Sequence, residues 1–351
     1  MPVARTLLAL AAILLIAAQA CERNITFVEA TDEPLSCFEC HSDNNTFLVA
    51  AEQQWMNSFH ASGLNIDRGA SAGCAGCHIS EGFIQRANGE QVTGEVNPTV
   101  IHCFTCHAPH SNRDFGLRWM EPATLLDGTS FDIGAGNLCV ACHQARRDVN
   151  EFVGSGSDRT NINSTHWGPH YSIQGDMLLG SNGYEYDGYN YQSTPHRSAT
   201  RDGCIDCHYR ATSNNVVGGH AFNMRGDARD EGGEFSELLN VAACEPCHGD
   251  LDDFNYKGVQ DEIDALIEEL EGLVEAAGMW VNGHPNAGVI TSADSAGAVW
   301  NLLMAEDDRS RGVHNPMYYK GLLQSSILFL EGTLSSPSAH ADAGDRVAPS
   351  R

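Results

Sequence analysis

Twelve of the thirteen cysteines in this chain belong to six copies of one pattern, Cys-x-x-Cys-His, and this repetition constrains the fold more than any other feature. In chain order the cysteine pairs are Cys37 and Cys40, Cys74 and Cys77, Cys103 and Cys106, Cys139 and Cys142, Cys204 and Cys207, and Cys244 and Cys247. The histidines that follow them are His41, His78, His107, His143, His208 and His248. We number these motifs first to sixth, and Cys21 alone lies outside them.

The pattern is the attachment signal of haem c, in which two thioether bonds fix the porphyrin and the adjacent histidine binds the iron. Two intervening residues make a tight turn that presents both sulfurs to the porphyrin edge. A single copy would also suit a structural zinc pair or a redox dithiol. Zinc needs closed sets of four ligands, and a disulfide framework needs no histidine. Six copies therefore predict six covalently bound haem c groups, with the motif histidines as proximal iron ligands.

Residues 1–20 predict a secretory signal, because one early positive charge, Arg5, precedes an apolar run that ends in small residues. The run is too short to span a membrane as a helix. The sequence "AQAC" at 18–21 resembles a bacterial lipoprotein processing site, which would make Cys21 the lipidated first residue. The alternative is an incidental cysteine after an ordinary signal peptide. Because Glu22 is not the aspartate associated with inner-membrane retention, we expect an exported outer-membrane lipoprotein, periplasmic or at the cell surface.

The acidic composition narrows the choice of partners. Acidic residues number 46 against 20 basic ones, which gives a formal net charge of −26 at pH 7. This charge excludes nucleic acid and anionic membrane patches as favourable partners. It suits solubility, or docking to a cationic patch, a metal ion or a mineral surface. The 35 glycines and few long periodic segments argue against a large aliphatic core, a role that six porphyrins would fill.

The C-terminal third differs from the rest of the chain. The segments between motifs are rich in turn residues and predict short helical pieces at most. Apolar residues at helical spacing predict an amphipathic helix over about 259–278, and further helices are expected over about 292–305 and 315–331. We therefore expect a mainly α fold with extensive irregular loops, organised around stacked haems. The predicted parts are a signal peptide at 1–20, a six-haem region at 21–250, a helical region that packs on the haems at 251–332, and a disordered tail at 333–351.

Each haem iron has a second axial position, and its occupant decides between an electron carrier and an enzyme. Ten histidines lie outside the motifs, and an isolated histidine is more often a surface or core residue than a ligand. His60 and His196 lie in the same sequence context, because each follows an aromatic residue and a hydroxyl residue and precedes a serine. These neighbours are Trp55, Ser58 and Ser62 for His60, and Tyr191, Thr194 and Ser198 for His196. The repeated context makes both histidines distal-ligand candidates.

The other histidines need separate arguments. His110 cannot reach the far face of the haem that His107 binds, but it lies within reach of a neighbouring iron. His102 is a weaker candidate, and a hydrogen bond near a propionate is its alternative role. His166 and His170 would share a helical face if Pro169 lay in the first turn. His284 is a reserve candidate, His340 lies in the predicted tail, and Met177 and Met224 are expected to fill the core.

Four segments carry a resemblance to a known family: "CFTCHAPH", "HWGPHYSIQGDMLLGSNGYE", "GGHAFNM" and "RGVHNPMYYKGLLQSSI". They resemble multihaem cytochromes c of the cytochrome c nitrite reductase and hydroxylamine oxidoreductase lineage, and the bis-histidine multihaem cytochromes of bacterial cell surfaces. The resemblance spans roughly residues 36–332. It implies four further distal ligands: His110, His170 or alternatively His166, His220, and His314. His314 gains independent support because it lies at the start of a predicted helix.

The motif histidines bear on the choice of activity. Nitrite reductases of that lineage usually carry lysine in place of one motif histidine, whereas all six histidines are kept here. The leading prediction is therefore a hexahaem electron-transfer cytochrome with no catalytic residues, which serves other cytochromes, a quinol-oxidising complex or an extracellular acceptor. One alternative is an oxidoreductase of nitrogen or sulfur compounds with an open haem. Another is a homo-oligomer or filament in which one subunit supplies a distal histidine to the next.

Overall fold

The structure is a computed structural model, and it describes residues 45–112, 114–229 and 234–334. All of the described residues belong to one compact unit. The predicted signal peptide, Cys21, the first motif at 37–41 and His340 lie outside the described residues.

Short helices follow one another along the first two thirds of the described chain, and longer ones end it. They are α1 (Thr46–Met56), α2 (Phe59–Ser62), α3 (Ala72–His78), α4 (Ser80–Ala87), α5 (Cys103–Cys106), α6 (Pro109–Asn112), α7 (Gly136–Val140), α8 (Val149–Phe152), α9 (Gln174–Leu179), α10 (His196–Ala199), α11 (Cys204–His208), α12 (Glu245–His248), α13 (Val259–Ala276), α14 (Ala293–Asp308) and α15 (Pro316–Leu330). Short 3₁₀ turns lie at Ile66–Ala70, Gly219–Ala221, Val241–Ala243 and Tyr256–Gly258.

The strands pair two by two in antiparallel ribbons. They are β1 (Ala123–Thr124) with β2 (Ser130–Phe131), β3 (Arg159–Ile162) with β8 (Val289–Ser292), β4 (Arg225–Arg229) with β5 (Phe235–Leu239), and β6 (Trp280–Val281) with β7 (His284–Pro285). The β3–β8 ribbon, in which Arg159 faces Ser292, joins the middle of the chain to the start of α14. The described part of the chain is thus mainly helical, with irregular connections, as expected from the sequence.

The three predicted C-terminal helices are confirmed, and their ends have physical causes. Asp261 and Glu262 lie in the first turn of α13, where carboxylates complement the helix dipole. Ser292 caps α14, because its hydroxyl accepts from the backbone N–H of Ser295 at 3.2 Å. Asn315 caps α15 in the same way, and Pro316 occupies the first helical position, where its missing N–H costs nothing.

Helix α1 contradicts the expectation of only short helical pieces between the motifs. It runs for 11 residues and contains no buried residue. Its half-buried apolar residues Leu48, Ala51 and Trp55 lie three and four positions apart, a helical stripe that sequence reasoning missed. The Asn45 side chain starts the helix by accepting from the N–H of Leu48 at 3.1 Å.

The hydrophobic core is larger than the composition suggested, because aromatic side chains supply much of it. One cluster joins α13, α14 and α15 to the segment 145–186. At its centre the rings of Trp167 and Trp300 meet edge to face, with their centroids 5.9 Å apart. The hydroxyl of Tyr184 donates to the carboxylate of Asp294 at 2.6 Å. Met177 is fully buried in this core, as its interpretation as a core residue predicted. Within the described residues, no helix is both long and apolar enough to cross a membrane.

Candidate haem-binding sites

Each of the five described motifs lies on a single helical turn: α3, α5, α7 with the residues that follow it, α11 and α12. On a helix, residues three apart face the same side, so the two sulfurs of each motif point in one direction. The turn closes at the motif histidine. The backbone N–H of His107 donates to Cys103 O at 2.9 Å, and that of His143 donates to Cys139 O at 2.9 Å. The ten cysteines of these motifs form no disulfide bonds.

Every motif histidine in the described chain faces a histidine from outside the motifs. The ring centroids are 6.2 Å apart for His78 and His170, 6.4 Å for His107 and His220, 6.2 Å for His143 and His60, 6.2 Å for His208 and His314, and 6.0 Å for His248 and His196. Five separate pairs thus share nearly one spacing, although their partners come from distant parts of the chain.

That spacing fits a metal ion between the two rings. A metal–nitrogen bond to histidine is about 2.0 Å long, and the ring centre lies roughly 1 Å beyond the nitrogen, so two opposed imidazoles on one ion have centroids about 6 Å apart. The five pairs, each beside two cysteines on one helical face, therefore fit haem c with two axial histidines. Among the described residues, no group of three or more histidine, cysteine, aspartate or glutamate side chains is arranged as a metal cage.

Hydrogen bonds at Nδ1 fix the orientation of most of these rings. Backbone carbonyls accept from the rings of three of them: Phe115 O from His107 at 2.7 Å, Phe222 O from His208 at 2.8 Å, and Val313 O from His196 at 2.8 Å. The amide oxygen of Gln174 accepts from His143 at 3.0 Å. A proton held at Nδ1 leaves the lone pair of Nε2 free for a metal, and such outer partners orient ligating histidines. Sequence reasoning missed Gln174, because nothing in its local context marks it.

Burial keeps several of these imidazoles neutral. It lowers the pKa of His60 to about 4, with the neighbouring His143 as a second cause. It also lowers the pKa of His208 to about 4, with His314 as the second cause. The pKa of His170 falls to about 4 through burial and then the charge of Arg146. Neutral imidazole is the form that binds metal, so these rings are competent ligands at neutral pH.

His314 differs from the other paired histidines because a carboxylate faces it. Its Nδ1 lies 2.7 Å from Oδ1 of Asp308, a residue that is 2% exposed. Burial alone would lower the pKa of His314, but the Asp308 carboxylate outweighs it and raises the pKa. A carboxylate behind a ligating histidine increases the electron density on the ring. Sequence reasoning missed this partner, because no local pattern marks Asp308.

His60 and His196, which share a sequence context, also share a local structure. Each lies on one turn of helix, His60 on α2 and His196 on α10. Ser58 caps α2 by accepting from the N–H of Ala61 at 3.2 Å. Thr194 instead donates its backbone N–H to the side chain of Asn315 at 2.9 Å, which ties α10 to the start of α15. The shared sequence context therefore corresponds to a short helix that carries a histidine.

The alternatives His166 and His170 do not share a helical face. The segment around Pro169 is a turn, in which Gly168 has φ of 133° and His170 has φ of 88°. Both values lie outside the helical region, and the φ of Gly168 is one that glycine adopts without a steric penalty. His170 faces His78, whereas His166 is exposed and its Nδ1 lies 2.6 Å from the hydroxyl of Tyr171.

His102, His110 and His284 lie outside the described histidine pairs. Nδ1 of His102 accepts from the N–H of Phe104 at 3.2 Å, so His102 caps α5. Sequence reasoning missed this role, because histidine is not a usual capping residue. His110 lies on α6, with its ring centroid 5.8 Å from that of Phe104. His284 is exposed on β7.

No protein-family model matches the chain, and no curated protein matches it. Among solved structures, the chain is similar to an undecaheme cytochrome from the S-layer of Carboxydothermus ferrireducens, with a TM-score of 0.45 and 16% sequence identity. The similarity covers 82% of this chain and 40% of that protein, so the chain spans less than half the length of this relative.

Proposed function

We propose that this protein is a hexahaem c-type cytochrome that carries electrons through bis-histidine haems in the cell envelope. The observation that supports this most strongly is the set of five opposed imidazole pairs at 6.0–6.4 Å, each beside a Cys-x-x-Cys turn. Haem c, when bound, supplies the one-electron redox chemistry. Two protein ligands at one iron leave no position for a substrate, which favours an electron carrier over a reductase.

The chain's own residues perform three tasks in this proposal. The paired histidines would bind the haem irons: His170 with His78, His220 with His107, His60 with His143, His314 with His208, and His196 with His248. The Nδ1 partners fix the ring planes, so the ligand geometry changes little with oxidation state. The core of α13–α15 holds His314 rigidly at the entrance of α15.

The first motif and His110 complete the proposed set. Five of the six distal candidates face a described motif, which leaves His110 for the haem of Cys37 and Cys40. The chain position supports this assignment. Phe47, six residues after His41, has its ring centroid 6.4 Å from that of His220, and His220 faces His107, three residues before His110. The export signal, lipidation of Cys21 and a redox partner or extracellular acceptor belong to the same proposal.

The experiment that tests the function is low-temperature EPR of the purified, fully oxidised protein, with covalent haem quantified on the same sample. We expect six haems per chain and only low-spin signals. Fewer than six haems would contradict the haem count. A stoichiometric high-spin signal would contradict an all-bis-histidine carrier and would favour the reductase alternative.

A matched pair of variants tests the ligand assignment. His220→Ala removes one axial ligand, so we expect one of the low-spin signals to be replaced by a high-spin signal while the haem content stays at six. His166→Ala removes an exposed histidine from outside the pairs and should leave the spectrum unchanged. The same spectrum from both variants would refute the assignment of His220.

A further inference from the structure

The fourth motif occupies a central position among the described motifs. Its helix α7 and the residue that follows are buried: Leu138 is 8% exposed, Val140 1% and Ala141 1%. The described chain therefore packs around this motif on several sides. The contacts on each side involve other haem motifs.

The second motif contacts the fourth through its second cysteine. The Sγ atom of Cys77 lies 4.0 Å from Ala141 O, and the side chains of Cys77 and Cys142 are neighbours. Arg86 stabilises this contact, because its guanidinium donates to Ala141 O at 2.6 Å and lies 3.7 Å from the Cys77 sulfur. Haems attached at these two cysteines would therefore be direct neighbours.

The fifth motif contacts the opposite end of the same turn. A Cβ atom at Gly136 would lie 3.5 Å from the sulfur of Cys204 and 3.1 Å from Asp202 O, so glycine permits this close approach. The N–H of Ala135 donates to Asp202 Oδ1 at 3.2 Å. The side chains of Cys139 and Cys204 are neighbours. Each cysteine of the fourth motif thus has a cysteine of another motif as its neighbour.

The third motif reaches the fourth through a shared apolar cluster. Cys106 and Cys142 both pack against Phe83, Leu138 and Ala141.

The sixth motif has a different neighbour. The side chain of Asn240, just before it, donates to Cys207 O of the fifth motif at 3.4 Å. The sixth motif therefore extends the series from the fifth.

We propose that the fourth motif is the junction of a branched electron path, with the second, third and fifth motifs as its direct neighbours and the sixth beyond the fifth. This inference rests on the proposed function. Each transfer oxidises one iron from Fe(II) to Fe(III) and reduces its neighbour from Fe(III) to Fe(II), so no further reactant is needed. Electrons that pass between the second and the fifth motif would cross the haem of Cys139 and Cys142.

The test uses the holoprotein and changes the potential at one motif at a time. A Met/His axial pair raises the potential of a haem relative to bis-histidine ligation. In His60→Met the haem of the fourth motif should become reduced at higher potential. In an EPR-monitored redox titration, the midpoints of three other haems should shift with it, because neighbouring redox centres interact electrostatically. His170→Met, His220→Met and His314→Met assign the signals of the second, third and fifth motifs.

His196→Met is the matched control, because the sixth motif has one proposed neighbour, and we expect it to shift the midpoint of only the fifth motif's haem. The branched path is refuted if His60→Met shifts the midpoints of fewer than three other haems, or if His196→Met shifts as many as His60→Met. A haem content below six in the unmodified protein would refute the proposed function instead, so the two failures are distinguishable.

A second variant keeps the test decisive if His60→Met loses haem. Gly136→Ala places a methyl group against Asp202 and Cys204, which should weaken the interaction between the fourth and fifth haems while the second and third keep their midpoints. Gly272→Ala, on an open face of α13, adds a methyl group without contacts and should change nothing. Equal shifts at the second, third and fifth haems in Gly136→Ala, or no shift at all, would overturn the junction.

Discussion

A hydrogen bond at one ring nitrogen determines what the other nitrogen of a histidine can do. Phe222 O and Val313 O accept from His208 and His196, so the free nitrogens of these rings turn toward their partners. The same atom of His102 is used to cap α5. The hydrogen bond at Nδ1 thus separates His208 and His196 from His102.

The Asp308 carboxylate next to His314 should lower the midpoint potential of one haem. In Asp308→Asn the negative charge next to the ring is lost, so the imidazole donates less electron density and the midpoint potential of the fifth motif's haem should rise. A redox titration followed by EPR measures this change. Asp250→Asn removes the same charge from an exposed site near the sixth motif and is the control. Equal shifts in the two variants would contradict a specific role for Asp308.

Asp176 should make stability depend on pH. It is 0% exposed, its Oδ2 accepts from the N–H of Ala145 at 2.7 Å, and its Oδ1 has no hydrogen-bond partner. Burial raises the pKa of its carboxyl from 3.8 to about 7. The folded state therefore holds the proton more tightly than the unfolded state, and stability contributed by this group falls as the pH rises from about 4 to about 7.

Asp176→Asn should remove that dependence and stabilise the protein at pH 8 by on the order of a few kcal/mol. Thermal unfolding measured between pH 4 and pH 8 gives the comparison. The exposed Asp187→Asn is the control and should leave the pH profile unchanged. An unchanged profile in Asp176→Asn would show that this carboxyl does not carry a proton in the folded state.

At the scale of elements, helix ends position the candidate ligands. Asn315 is fully buried, and its side-chain oxygen accepts from the N–H of Thr194 at 2.9 Å and from that of Tyr318 at 3.4 Å. It therefore joins the start of α15 to the turn that carries His196. One side chain holds both the His314 and the His196 region in place.

Asn315→Ala should destabilise the protein by about 2–4 kcal/mol, because it removes a helix cap and leaves buried N–H groups unsatisfied. Ser292→Ala removes the cap of α14 at a less buried site and should cost only about 1 kcal/mol. Chemical denaturation of both variants measures the difference. Equal losses would mean that the second role of Asn315, at Thr194, contributes nothing.

The sequence predicted the helices and turns whose signals lie within a few neighbouring residues. The stripe from Val259 to Val274 marked α13, and the proline at 316 marked the start of α15. The Cys-x-x-Cys-His turns and the shared context of His60 and His196 were also visible in the sequence. The contacts between distant segments of the chain could not be predicted. The pairing of His60 with His143, the β3–β8 ribbon and the contact of Asp308 with His314 arise only when distant segments pack, and no local pattern records them.

At the scale of the whole molecule, charge should govern encounters with redox reagents. The formal net charge of −26 attracts cations and repels anions, and salt screens both effects. Reduction by a cationic viologen radical should therefore slow severalfold as the ionic strength rises from about 10 mM to about 500 mM. Reduction by anionic dithionite should accelerate over the same range. Stopped-flow absorbance measures both rates, and equal salt dependence for the two reagents would contradict electrostatic steering.

The opposed histidines also have a consequence for the unfolded chain. Under the proposed ligation, each axial bond closes a loop, since the motif histidine is tied to a haem that the other histidine must reach from far along the sequence. His60 and His143, or His78 and His170, would close loops of about 80–90 residues, and a covalent cross-link over such a loop removes chain entropy worth on the order of 4 kcal/mol. A set of iron–nitrogen bonds would thus serve as a reversible counterpart of a disulfide network, in a chain whose cysteines are committed to another purpose.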